Sequence, residues 1–335
     1  MKFNIARQPL VPAFLTLAAL AVIAMWKAGP TTGNIPAESA LTAAGGELAV
    51  ATPAELLVRL QTACPGWSRW IGGFLILFVG MSLGRLTVRY NLYSVGTCLA
   101  IPLYGAIAAG LLDKSCFLPI LTAAALLTLA SKNYARSFCN GYGFDTLFRA
   151  SFYLGLLLLL LPAALPFILL MPLAIALFRR TLRETVVALA GLLLPILAFC
   201  YLNWGYGGLF TAPLRLHYQA LTSGAPLAAA LAIPLRNLAL LGGVLLLDLA
   251  AVFYFLADIY AAGTKSRAIF IFYICLLALT VPAVCNPAAT PAITLLAAIP
   301  SAVLMPFLFV RIHRTIATIA YLILLIATIG IAILQ

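Results

Sequence analysis

The chain has 335 residues, 64% of them hydrophobic and 8% charged, with a mean hydropathy of +1.13. Soluble domains carry about 25% charged residues, so this composition excludes a soluble globular protein and describes an integral membrane protein. The net charge of +12 comes without a basic stripe interleaved with aromatics. That excludes a nucleic-acid partner and points to basic loops gathered on one membrane face.

In chain order, Lys2 and Arg7 precede an apolar run over 10–26. The run ends in Trp26-Lys27 rather than at a small-residue cleavage site, so it is expected to remain as a first membrane helix. The stretch 27–69 is polar and holds Glu38, Glu47 and Glu55. Its last part, PAELLVRLQTACPGW, sets Leu56, Leu57, Leu60 and Ala63 at helical spacing opposite Glu55, Arg59 and Gln61. This predicts a short amphipathic helix lying on the membrane surface. Spans are then expected at 70–86, 94–112 and 116–130, with Asp113-Lys114 turning the chain between the last two.

The next stretch, 150–178, carries no charge and three prolines, Pro162, Pro166 and Pro172. As one helix it would be about 43 Å long, well beyond a hydrocarbon core of about 30 Å. A single crossing divides the 20 Lys and Arg residues 9 to 11 between the two faces, whereas a hairpin divides them 14 to 6. Cytoplasmic loops are the basic ones, so the hairpin is the predicted arrangement. Its arms would be about 12 residues each, with a tip at 162–166 that must be covered by protein because its backbone lacks partners in lipid.

Further spans are expected at 185–204, 237–257, 268–284, 289–310 and 315–334. The predicted fold is all-α: a polytopic transmembrane bundle of about eleven hydrophobic segments, including the short hairpin 150–178, in one membrane domain over 1–335. Loops 27–69 and 205–236 fall on the outer face of a bacterial inner membrane, with the N-terminus cytoplasmic and the C-terminus periplasmic.

RYNLYS (89–94), RASFYLGLLLLLLPAALPFILLMPLAIALFRRTLRE (149–184) and LLLPILAFCYLNWGYG (192–207) resemble a group of uncharacterised polytopic inner-membrane proteins of Bacteroidota. A more distant resemblance is to membrane glycosyltransferases of the GT-C class, which use polyprenyl-phosphate-linked sugars. Those enzymes share a long first outer loop with surface helices, paired short helices in mid-chain and a second long outer loop. Where that class places an acidic catalytic residue, often Asp, the first outer loop here offers Glu38, Glu47 and Glu55.

Three functions remain open on these residues. The first is a transferase at the outer face, with Glu55, Glu38 or Glu47 as the catalytic acid. Arg215, His217, Tyr218 and Arg236 would hold the diphosphate, since arginine grips phosphate oxygens in pairs. The second is a transporter or flippase using Asp248, an intramembrane carboxylate costly to bury in charged form. The third is a non-catalytic subunit of an envelope complex. Arg179, Arg180, Arg183 and Glu184 form a basic helix start suited to anionic lipid. The seven cysteines show no CxxC pair, so no metal site is expected, and no motif names a cofactor. Membrane lipids are the one partner class the composition implies.

Overall fold

In the computed structural model, residues 8–26, 28, 48–138, 141–223, 225, 227–260 and 263–334 are described. Glu38 and Glu47 lie outside them. The described residues form helices and turns without a strand. Six helices are long and apolar enough to cross a membrane: Pro65–Arg89 (α3), Leu182–Gly205 (α8), Leu235–Ala257 (α11), Thr264–Val284 (α12), the continuous stretch Pro291–Arg311, and the helix that starts at Arg314. Shorter apolar helices are Leu10–Trp26 (α1), Ala100–Leu111 (α4) and Pro162–Leu177. Phe117–Arg136 (α5) and Phe144–Leu160 (α6) complete the apolar set. The protein is an all-helical bundle of membrane-spanning character.

Several boundaries differ from the sequence expectation. The run 94–112 yields only the 12-residue α4. Asn91 adopts φ 45°, and the Thr97 hydroxyl accepts from Leu99 N–H, so local turn bonds outcompete helix there. By contrast α6 starts at Phe144, earlier than expected, because Asp145 in its first turn pairs with Arg149 at 2.8 Å. The run 289–310 begins as a 3-10 helix, Pro291–Ala297, before continuing as Ala298–Arg311 (α13).

The stretch after α6 doubles back. Leu161 breaks the helix, a 3-10 helix Pro162–Leu169 follows, and Leu170–Leu177 (α7) completes the return. The two ends then meet: Gly143 N–H donates to Glu184 Oε1 at 2.6 Å, and the Arg180 guanidinium donates to Gly141 O at 2.9 Å. Each leg is longer than the expected 12 residues, at 17 and 16 residues. At about 1.5 Å rise per α-helical residue and 2.0 Å per 3-10 residue, both legs come near the membrane core thickness.

Pro162 has no N–H, so the Leu158 carbonyl four residues earlier loses its helical donor. His217 of the surface helix Ala212–Ser223 (α9) reaches that carbonyl with Nε2 at 3.2 Å. The α6 and α8 helices run parallel and touch backbone to backbone. A Cβ on Gly155 would lie 2.4 Å from Leu192 O, and one on Gly191 would lie 2.6 Å from Phe148 O. Small residues permit this close approach between membrane helices.

At the centre, every residue of α4 is buried, and the Pro291–Arg311 stretch is almost wholly enclosed. Around them stand α1, α3, α11 and Arg314–Leu334 (α14), each in contact with α4. Gly80, Gly84, Gly105 and Gly110 pack directly against Leu17, Ile101, Leu17 and Leu240. Buried hydroxyls cross-link the helices: Tyr134 with Ser151 at 2.9 Å, Tyr273 to Ser131 at 3.3 Å, and Tyr93 to Val303 O at 2.7 Å. The outer helices leave large apolar residues such as Leu246, Leu249, Phe253, Ile323 and Ile326 exposed, as a lipid-facing surface requires.

Candidate functional site

Loop contacts sort into two ends of the bundle. One end, here the basic face, joins 90–99, 136–138, 141–144, 177–184, 258–260, 263–267 and 311–314. Lys265 lies 4.6 Å over the Tyr90 ring, Arg311 pairs with Asp258 at 2.9 Å, and Arg85, Arg136 and Arg89 act on Lys132. At the opposite face Gln61 donates to Ser115 O at 2.7 Å, and Leu227 N–H donates to Cys285 O at 3.3 Å.

The opposite face carries a cavity of about 320 Å³ lined by Asp113, Lys114, Ser115, Arg236 and Asn237. The turn 112–116 builds one wall. Asp113 Oδ1 accepts from Ser115 N–H at 3.0 Å and from its hydroxyl at 2.7 Å, an Asx turn that fixes the carboxylate at the end of α4. Lys114 is buried, with its Nζ donating to Ala332 O at 2.5 Å. That carbonyl belongs to the last turn of α14, where helix carbonyls carry partial negative charge.

The other wall is the first turn of α11. Arg236 is its second residue and is exposed; Asn237 is buried. A cation at a helix N-terminus opposes the helix dipole, and an anion there meets both the dipole and the guanidinium. Lys114 also ends a second groove of about 220 Å³, between Val22, Ile23 and Trp26 of α1 and Ala332 and Ile333 of α14. A cavity that carries Asp113 and Arg236 and an apolar groove therefore share one buried lysine.

The other expected site residues lie elsewhere. Glu55 follows the Thr52 cap of the surface helix Pro53–Ala63 (α2) and pairs with Arg59 one turn on. Its second oxygen is buried with no hydrogen-bond partner. Arg215 and Tyr218 are exposed on α9, while both His217 nitrogens face carbonyls, Pro213 O at 2.8 Å and Leu158 O. Of the expected phosphate-binding set, the cavity gathers Arg236 alone. Asp113 and Lys114, read in the sequence as a turn, are the residues it adds. In α2 it is Gln61 that is buried, while Leu56 and Leu60 are exposed. Gln61 fills a protein contact, also accepting from Leu118 N–H at 3.2 Å.

Asp248 is fully buried in α11 and accepts a hydrogen bond from the Ser301 hydroxyl of α13 through Oδ2; its Oδ1 has no hydrogen-bond partner. One hydroxyl donor offsets only part of the cost of burying a charged carboxylate in such a surrounding. Asp248→Asn, which keeps an acceptor for Ser301, is expected to melt within about 1 kcal/mol of the parent. If the carboxyl couples protons to transport, the same variant abolishes the pH dependence of uptake into proteoliposomes. Unchanged pH dependence in Asp248→Asn would remove that role.

Among the described residues no group of His, Cys, Asp and Glu side chains is arranged to hold a metal ion. The chain matches no protein-family model, no curated protein and no solved structure. The functional reading therefore rests on the geometry of this chain.

Proposed function

We propose that the protein is a membrane-embedded transferase acting on a polyprenyl-phosphate-linked sugar at the face that carries Asp113, Lys114 and Arg236. In this reading the bundle has eleven membrane segments, the basic face is cytoplasmic and the cavity opens to the periplasm. The 14 to 6 division of Lys and Arg between the faces supports that orientation.

The observation that carries the reading is one cavity holding a carboxylate and two cations beside an apolar groove. An isoprenoid phosphate needs both surroundings, phosphate contacts for its head and apolar contact for its chain. Asp113 takes the proton of an acceptor hydroxyl as that oxygen bonds to the anomeric carbon. The bond from that carbon to the phosphate oxygen breaks, and the polyprenyl phosphate leaves with the electron pair. Lys114 and Arg236 balance its charge. Glu55, with one buried oxygen without a partner, is the further acid available to this face; Glu38 and Glu47 lie outside the described residues.

The test is release of polyprenyl phosphate from a radiolabelled lipid-linked sugar by the protein in nanodiscs. Asp113→Asn is expected to lower turnover by about 10²-fold or more with binding retained, the range for a lost general base. Arg236→Gln is expected to raise KM about tenfold or more through loss of a charge-assisted phosphate contact. Lipid binding without turnover in the parent protein would replace the enzyme reading with that of a lipid carrier. Variants indistinguishable from the parent would remove the site.

A further inference from the structure

At the basic face α3 and α5 end side by side, and each carries two cations one turn apart: Arg85 and Arg89 on α3, Lys132 and Arg136 on α5. Residues four apart share a helix face, and the charges of the three arginines act on Lys132, so the four form one cluster. Lys265 of α12 stands beside it, 4.6 Å over the Tyr90 ring and 5.6 Å over the Phe138 ring, just past the two helix ends.

Among the described residues no carboxylate pairs with these four cations. The acids of this face are committed elsewhere: Asp145 to Arg149 at 2.8 Å, Glu184 to Arg180 at 3.3 Å and Asp258 to Arg311 at 2.9 Å. The helix ends compensate only in part. A helix C-terminus carries about half a negative elementary charge, so two of them set about one negative charge against four positive ones. Complementing the dipoles accounts for Arg89 and Arg136, which sit in the last turns. It leaves the inner pair, Arg85 and Lys132, about 6 Å deeper toward the membrane core.

The surface of α3 shows which way the cluster faces. Trp70, Phe74, Arg85 and Val88 lie at helical spacing on one side and are all exposed. The apolar side that meets lipid therefore runs straight into the cations. A soluble anion would meet the charges alone, whereas a lipid meets both.

We infer that the ends of α3 and α5 bind an anionic phospholipid, its phosphate held among Arg85, Arg89, Lys132 and Arg136 and an acyl chain lying along the Phe74 side of α3. The inference concerns the face opposite the transferase cavity and does not depend on that reading.

The full chain, purified in detergent, can be titrated with phosphatidylglycerol, with phosphatidylcholine and with glycerophosphoglycerol, the deacylated headgroup, and bound ligand counted by native mass spectrometry. The parent should hold phosphatidylglycerol about tenfold or more tightly than phosphatidylcholine, whose ammonium cancels its phosphate charge. Arg85→Gln and Lys132→Gln should each weaken phosphatidylglycerol by about tenfold, as loss of a charge-assisted contact requires. Because Arg85 is exposed, its substitution removes the charge without repacking the bundle. Arg149→Gln removes a cation of the same face that Asp145 already neutralises, and should hold the lipid as the parent does. Equal retention of the two lipids by the parent overturns the inference, as does parent-like retention in both Arg85→Gln and Lys132→Gln. An equal loss in Arg149→Gln and Arg85→Gln also overturns it, since the face would then attract lipid by net charge alone. Glycerophosphoglycerol bound as tightly as phosphatidylglycerol would overturn the assignment to a lipid.

Discussion

Glu184→Ala is expected to destabilise the protein by about 3–5 kcal/mol, the range for removing one partner of a buried ion pair. Four donors converge on this carboxylate, two of them backbone N–H groups at Gly143 and Thr181. Without it, Arg180 keeps its charge in a nearly buried position and loses this carboxylate. Gly143 and Glu184 also stand at the starts of two parallel helices, so the loss releases the junction between them. Thermal unfolding in a mild detergent measures the effect. Glu184→Gln should fall between the two, since its amide accepts from Gly143 but presents N–H to Thr181 N–H. A Glu184→Ala protein within about 0.5 kcal/mol of the parent would mean that water replaces the carboxylate at little cost.

The second large effect is expected at Asn203, near the other end of α8. The side chain is fully buried. Its Oδ1 accepts from Ala49 N–H at 2.9 Å and Val50 N–H at 3.3 Å, and its Nδ2 donates to Leu209 O at 2.8 Å. One amide thus ties the backbone at 49–50, just ahead of α2, to the turn after α8. Asn203→Leu strands three backbone groups and should cost on the order of 3 kcal/mol. The local consequence is more diagnostic: hydrogen exchange at Ala49 and Val50 should accelerate, and protease should cut near 48–52. Asn203→Asp keeps both acceptor contacts and should protect the loop largely as the parent does. Undiminished protection in Asn203→Leu would show that the loop is held by other contacts.

Residues of this kind mark the limit of what the sequence discloses. The apolar runs lie open in the text because lipid demands unbroken hydrophobicity, and the positions of most helices follow from that alone. Helix length is less legible. The central α4 is only 12 residues long and is tolerated because neighbouring helices enclose it, a property of the packed bundle rather than of the segment. Asn203 sits inside an apolar stretch whose pattern gives no sign that two of its partners, Ala49 and Val50, lie more than 150 residues away. Asp113 and Lys114 look like a turn because they are one. Their meeting with Arg236 depends on how α4, α11 and α14 pack, which local patterning does not encode. Glu184 offered the clearest signal, since Thr181 and Glu184 form a capping box.

The parallel pairing of α6 and α8 has a mechanical consequence. Two helices whose backbones touch at Gly155 and Gly191 resist sliding, because a shift by a residue would drive a side chain into a carbonyl. The one weak point in α8 is Pro195, which takes a backbone donor from the helix interior, and its ring lies against Gly155. The hinge is braced where it would bend. The contact therefore stiffens α8 over the stretch between the Gly143–Glu184 junction and Asn203, so that its two anchored ends are joined by a helix braced in the middle.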